Sequence, residues 1–296
     1  MVPVDRRKPE FAKGRGRCLS GSFCGDANQI LRSLLDGLTA ELLGAHTQWV
    51  EFCREVKHAL PLVEQVNHTG DGYLSPFVFA QTLSGLGNAQ DVVIPCSSGS
   101  AFTVMMQTFE QKAGQRIVTN KDLASMGYGF SAAMGAAFAA NGRRTILVKG
   151  DGGFTQNLQE LGTVAAKHLN LKIFLFDDDG YTSIRVTQKN YFGGRCVGCD
   201  LATGLSIPKW ELLFPAYSVP VIRIGPGFAQ QPEFLQAFNA AGPSAILVYI
   251  DPTQTYFPKI SSRVTESGSM KSNPLHRMTP DRDTATAAQV FRYIPA

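Results

Sequence analysis

The chain reads as an α/β protein, a doubly wound parallel sheet with helices on both faces, preceded by a helical segment. Three observations predict this. From about residue 75 to residue 250, short apolar runs alternate with helical patterns. The runs are apolar throughout rather than every second residue, as expected of strands buried on both faces. A glycine-bearing turn joins one of them directly to a helix.

Residues up to about Gly25 show no periodicity. Asp26 is placed to cap a helix whose Ile30, Leu31, Leu34, Leu35 and Leu38 fall on one face, and a second amphipathic stretch runs from Thr47 to about His58. The segment VNHTGDGYLS has linker composition and sets a boundary near Gly70. Beyond it the pattern predicts helix 75–85, strand 92–94, helix 101–109, strand 116–119, helix 126–140 and strand 145–148. Helix 158–168, strand 172–176, strand 219–224, helix 233–240 and strand 245–250 follow. Three regions result: 1–70, an N-terminal segment; 71–255, the α/β domain; and 256–296, a C-terminal tail. In such sheets ligands sit beyond the carboxyl ends of strands, so the loops after Thr119, Val148 and Phe176 are where chemistry is expected.

With 296 residues and 44% apolar content the chain can bury a sizeable core. The net charge is only +4, and the basic residues are scattered apart from Arg6, Lys8, Arg15 and Arg17, so nucleic acid is not an expected partner. The stretch Ala124–Ala140 is too short and too rich in Gly and Ala to span a membrane. The N-terminus lacks the apolar run of a secretory signal, and six irregularly spaced cysteines form no disulfide framework. Together these lead to the expectation of a cytoplasmic protein.

After the strand RTILV come Lys149, Gly150, Asp151, Gly152 and Gly153, then a helix. Glycines there let the backbone approach an anion, and the helix start supplies free N–H groups for a diphosphate. Asp151 would repel phosphate unless a cation lay between them, which points to Mg²⁺. The next strand ends in Asp177, Asp178, Asp179 and Gly180, a second oxygen-rich loop; the plainer alternative is an acidic turn.

GDGGF and DDDG, with Asp151 and Asp178 separated by 27 positions, resemble the thiamine diphosphate signature, in which GDG is usually followed by NN. PCSSGSAF, LASMGYGFSAAMGAA, GDGGFTQNLQEL, DDDGYTSIRVTQ, FGG and the tail QTYFPKISSRVTESGSMKSNPLHRMTP extend the likeness to the C-terminal, diphosphate-binding domain of acetolactate-synthase-like enzymes. It covers roughly residues 74–280, and GDANQIL near Asp26 resembles the end of the central domain that precedes it in that family.

The resemblance implies thiamine diphosphate and Mg²⁺ as cofactors. It makes Asp151, Asp178 and the Gly180 carbonyl metal ligands, and Gly152 and Gly153 diphosphate binders through backbone N–H. Ser98 and Ser100 match hydroxyls that bond the diphosphate, although Ser100 also reads as a plain N-cap. Met126 matches the residue that wedges the cofactor into its bent form, although a Met opening a helix is ordinarily core packing. The Ala124 carbonyl matches the acceptor for the pyrimidine amino group, and Tyr181 joins the cofactor contacts. Asp178 departs from the family, since a carboxylate replaces a neutral amide beside an anionic diphosphate.

The implied reaction is decarboxylation of a 2-keto acid, pyruvate by default, with C–C bond formation. Ile184, where simple decarboxylases carry a Glu, mildly favours ligation over protonation. No catalytic residue is assignable, because the activating Glu of the family sits on a separate domain for which no room exists ahead of Gly70. The chain is then expected to be a subunit of a split enzyme, a fragment of a longer product or a degenerate relative, forming a homo-oligomer or a hetero-oligomer with a subunit bearing that pyrimidine-binding domain. The alternative is a non-catalytic cofactor-binding or regulatory partner of a complete enzyme. Gly127, Gly129 and Ala132 imitate a dinucleotide motif but lie too far from the strand ending at Thr119. Cys196 and Cys199 form a CxxC without a second pair, and His276 reads as a surface loop residue or a substrate contact.

Overall fold

The computed structural model describes residues 4–6, 21–39, 44 and 46–294; Lys8, Arg15 and Arg17 lie outside the described residues. The chain divides into two compact units, Met1–Ala59 and Leu60–Ala296.

The first unit holds a parallel pair, β1 (Val4–Asp5) with β2 (Phe23–Cys24), and two helices, α1 (Ala27–Gly37) and α2 (Thr47–Ala59). Asp26 caps α1 as its sequence predicts, the side chain accepting from the N–H groups of Asn28 and Gln29. The apolar stripe of α1 forms, but Leu31, Leu34 and Leu35 are exposed and the helix buries no residue.

The second unit is a six-stranded, wholly parallel sheet in the order β4-β3-β5-β6-β8-β7. Its strands are β3 (Val92–Ile94), β4 (Arg116–Ile117), β5 (Thr145–Gly150), β6 (Leu171–Asp177), β7 (Val221–Ile224) and β8 (Ser244–Tyr249). Strand alternation divides the apolar residues between two cores. Ile146, Val148, Phe174, Phe176, Ile246 and Val248 meet α3 (Pro76–Leu86), α4 (Gly99–Thr108) and α10 (Pro232–Asn239). Leu147, Ile173, Leu175 and Leu247 meet α5 (Tyr128–Ala139), α7 (Leu161–Ala166) and α9 (Trp210–Ala216) on the other face. Each such buried side chain contributes about 1.5–3 kcal/mol, which explains strands without polar alternation. The doubly wound architecture predicted from sequence is therefore present.

The connection leaving β3 passes to α4 on one face, whereas that leaving β5 passes through α6 (Asp151–Phe154) to α7 on the other. Adjacent strands whose exits diverge open a crevice at their carboxyl ends.

Several boundaries differ from the sequence reading for local reasons. β4 stops at Ile117, because the Thr119 hydroxyl donates to the Cys96 carbonyl and turns the chain away. α5 begins at Tyr128 rather than Met126, since Ala124 (φ 49°) and Gly127 (φ 85°) hold left-handed backbone. Helix 158–168 is a 3₁₀ segment, Thr155–Glu160, followed by α7, interrupted at Asn157 (φ −138°, ψ 31°), whose side chain donates to Ser131 Oγ. Ser100 is not the N-cap of α4; Ser98 occupies that position, and it makes no side-chain cap. Three helices were not anticipated: α8 (Thr182–Tyr191), α9 and, in the tail, Thr284–Val290. The first has no side-chain cap and a polar, β-branched sequence, and the second is seven residues long with Pro215 inside.

The tail forms an antiparallel pair, β9 (Ser262–Val264) with β10 (Met270–Ser272), and a short helix α11 (Thr284–Val290) capped by Asp283. It returns to the start of the unit, where Arg282 grips Glu64 through both carboxylate oxygens and Asn67 donates to the Phe257 carbonyl.

Candidate functional site

The crevice at the carboxyl ends of β3 and β5 is a cavity of about 210 Å³. Its lining brings together Ser98, Ser100, Ala124, Met126, Gly152, Gly153, Asp178, Gly180 and Tyr181 from four separate stretches of chain, with Ile184 beside them. Every cofactor residue expected from sequence thus reaches one place. Met126 is 44% exposed and faces the cavity, which removes the core-packing reading of that residue.

Asp151 sits at the start of α6, fully buried beneath the cavity. Its carboxylate accepts from the backbone N–H groups of Gly152, Asp178 (3.3 Å) and Gly180 (3.1 Å), clamping the loop after β6 against the loop after β5. Direct pairing of these strands makes the clamp possible: Gly150 lies opposite Phe176. Asp178 is also buried; one oxygen accepts from the Thr182 hydroxyl, while Oδ1 has no hydrogen-bond partner among the described residues. Arg185 donates to the Asp178 carbonyl at 2.9 Å and reaches Asp200 at 3.6 Å.

The electrostatics follow from burial. Desolvation, then the charge of Asp178, holds the Asp151 carboxyl well above the usual carboxylate range. Desolvation pushes Asp178 up to about 6 against the opposing pull of the Thr182 hydroxyl and the Arg185 charge. Two adjoining buried carboxylates, one with an idle oxygen, form a place where a cation would be stabilised.

Backbone shape is as specific as charge. A Cβ on Gly152 would lie 2.5 Å from the Tyr181 ring and 3.2 Å from the Gly180 carbonyl, so only glycine fits. Gly180 has φ 135°, and a Cβ there would strike the Cys199 carbonyl. That carbonyl accepts from Tyr181 N–H at 2.8 Å, and Gly180 bridges to Asp200, so the segment after α8 braces the acidic loop. Cys96, Ala124 and Asp179 hold left-handed backbone around the same cavity (φ 66°, 49° and 59°).

Sequence reading missed Lys149 and Cys96 in the cavity wall, and Arg185 and Thr182 on Asp178. A charged residue inside an otherwise apolar strand was the available signal for Lys149. Cys199 is buried, and burial together with the Cys199 thiol pushes the Cys196 thiol up. Among the described residues no group of three His, Cys, Asp or Glu side chains could hold a metal alone. His276 packs edge-on against Phe291 (5.6 Å) and does not line the cavity. Gly127 lies ten positions after the end of β4, unlike the first glycine of a dinucleotide turn. Among the described residues no helix is long and apolar enough to cross a membrane.

Comparison with known proteins locates the same region. The family described as "Thiamine pyrophosphate enzyme, C-terminal TPP binding domain" matches residues 97–248, just over half of the chain. The acetolactate synthase isozyme 2 large subunit of Escherichia coli (strain K12) is 27% identical over 243 residues, covering 82% of this chain and 42% of that protein. The probable acetolactate synthase large subunit of Methanocaldococcus jannaschii is 28% identical over 236 residues, covering 78% and 39%. The chain therefore spans about two fifths of the length of these curated relatives. Among solved structures, the Rhodococcus jostii RHA1 thiamine diphosphate-dependent 4-hydroxybenzoylformate decarboxylase superposes with a TM-score of 0.61 at 17% identity. That match covers 84% of this chain and 44% of the other, and carries the fold alone.

Proposed function

Because the chain belongs to the thiamine pyrophosphate enzymes and carries the C-terminal cofactor-binding domain of their acetolactate-synthase-like members, we propose that it binds thiamine diphosphate through Mg²⁺ and works in decarboxylating ligation of a 2-keto acid. The observation that carries the metal is the idle Oδ1 of Asp178 beside Asp151, both buried, under a cradle that a Cβ at Gly152 would fill. The donor set suits Mg²⁺, which takes one or two protein carboxylates and completes its shell with phosphate oxygens and water. Asp151, Asp178 and the Gly180 carbonyl are the metal ligands in this reading. Gly152 and Gly153 present backbone N–H groups to the diphosphate, with Ser98 and Ser100 alongside.

When bound, the cofactor supplies an electron sink that accepts the pair released as carbon dioxide leaves a 2-keto acid. The chain's own residues would position it: Met126 from the cavity wall, the Ala124 carbonyl as a hydrogen-bond acceptor for its amino group, and Tyr181 beside the metal ligands. Ile184 in the cavity lining would supply no proton, which would favour a second carbonyl as acceptor over protonation. Residues 71–255 form the cofactor domain in this scheme, and 256–296 a segment that closes over substrate.

Turnover requires a complementary pyrimidine-binding domain with an activating carboxylate, on another polypeptide or elsewhere in a longer one. Two facts support this. The chain matches about two fifths of its relatives, and a 210 Å³ cavity is smaller than the roughly 300–1,000 Å³ of whole ligand sites.

Titration calorimetry with thiamine diphosphate, with and without Mg²⁺, tests the reading. Metal-dependent uptake is expected; uptake indifferent to Mg²⁺, or none, overturns it. Mass spectrometry of everything co-purifying with the tagged chain then tests assembly. A stoichiometric protein bearing the complementary domain is expected, while recovery of the chain alone would leave a cofactor-binding relative without turnover.

A further inference from the structure

Lys149 lies one residue before the end of β5, where strand alternation turns it towards the face covered by α5. Its side chain is 1% exposed, yet it lines the cavity. Among the described residues the Nζ touches one polar group, Cys96 Sγ at 3.5 Å, and sulfur is a weak acceptor. No carboxylate pairs with it among the described residues. A buried amine with three donors and one poor acceptor is costly unless an anion completes it.

The surroundings indicate which anion. A Cβ built on Gly153 would lie 3.3 Å from the Lys149 Nζ, and one on Gly129 would lie 3.5 Å from it, so two glycines keep this amine uncovered. Gly153 belongs to the turn whose backbone faces the diphosphate in the reading above. The same cavity carries an acid, Asp178, that adds negative charge beside that group.

We propose that Lys149 donates to the phosphoryl oxygens of a bound diphosphate and offsets the charge of Asp178, an assignment that rests on the thiamine diphosphate reading. A lysine suits the task as a compact point charge with three rotatable donors on a flexible stem.

The test is calorimetry of the full chain with Mg²⁺ and either inorganic diphosphate or thiamine diphosphate, comparing wild type, Lys149→Met and Lys149→Gln. The loss of a charge-assisted contact should weaken both ligands about 10- to 100-fold, while the unliganded melting temperature stays the same or rises. In an Asp178→Asn background the same Lys149→Met change should cost clearly less, a coupling that a purely structural lysine would not produce. Wild-type affinity for inorganic diphosphate in both Lys149 variants would overturn the assignment and leave the cofactor reading standing. A wild-type chain that takes up neither ligand would sink both.

Discussion

Two lysines on neighbouring strands show how differently the two ends of the sheet are built. Lys172, near the start of β6, is fully buried and donates to the Ala240 and Gly242 carbonyls at 2.6 and 2.7 Å. Close by, Arg144 grips buried Asp91 with two donors and lies over the Phe238 ring. At the opposite end, Lys149 is equally buried but has only a sulfur, and Asp178 keeps an idle oxygen. Buried polar groups normally find partners inside the fold. Where one end satisfies its charges and the other does not, the unsatisfied end is the one shaped for a guest.

The largest expected effect separates the ends by backbone alone. Gly180→Ala combines left-handed backbone with a collision on Cys199 and should cost about 3–4 kcal/mol in urea unfolding. Gly142, at the other end, has φ 82° but open space around it, and Gly142→Ala should cost only about 1 kcal/mol. Equal losses would break the comparison.

Next comes the satisfied lysine. Burial, reinforced by the charge of Arg144, lowers Lys172 from its ordinary 10.5 to about 8. Between those values the unfolded chain binds more protons than the folded one, so stability should rise with pH across that window, by up to about 3 kcal/mol. Unfolding curves for wild type and Lys172→Met should diverge there, the variant lacking this rise; parallel curves would show that the two carbonyls already compensate the charge.

Asp178 should behave with the opposite sign. Its folded value of about 6 lies above that of a free carboxyl, so burial of the ionised form costs stability as pH rises from about 4 through 6. Asp178→Asn should therefore stabilise the unliganded chain by up to about 3 kcal/mol above pH 6 and have little effect below pH 4, as read by denaturant titration. The smallest effect is expected outside both ends: Cys196→Ser should leave zinc content at zero and the melting temperature within about 2 °C. A zinc signal lost in this variant would revive the CxxC as a metal centre.

Much of the site was legible because its signals are short. GDGGF and DDDG each occupy one strand-end turn, and adjacent parallel strands bring such turns together without further information. Strand identities were equally clear from unbroken apolar runs such as IFLF. Lys149 escaped notice because the neighbouring motif explained that stretch, although a charge in a buried strand is itself a signal. Arg185 and Thr182 act from α8, whose sequence is mostly polar, and Tyr181 at its start provides no side-chain cap. The apolar stripe of α1 was correctly patterned, yet pattern alone cannot say that a face is covered, and Leu31, Leu34 and Leu35 are exposed among the described residues.

The brace behind the acidic loop limits how portable this site is. Tyr181 N–H holds the Cys199 carbonyl, Gly180 bridges to Asp200, and Leu205 packs where a Gly180 side chain would be. A graft that carried only the two signature turns and the helix to Tyr191 would take the ligands and abandon their splint. The smallest transplantable cassette runs on to Leu205, past both motifs and the helix between them.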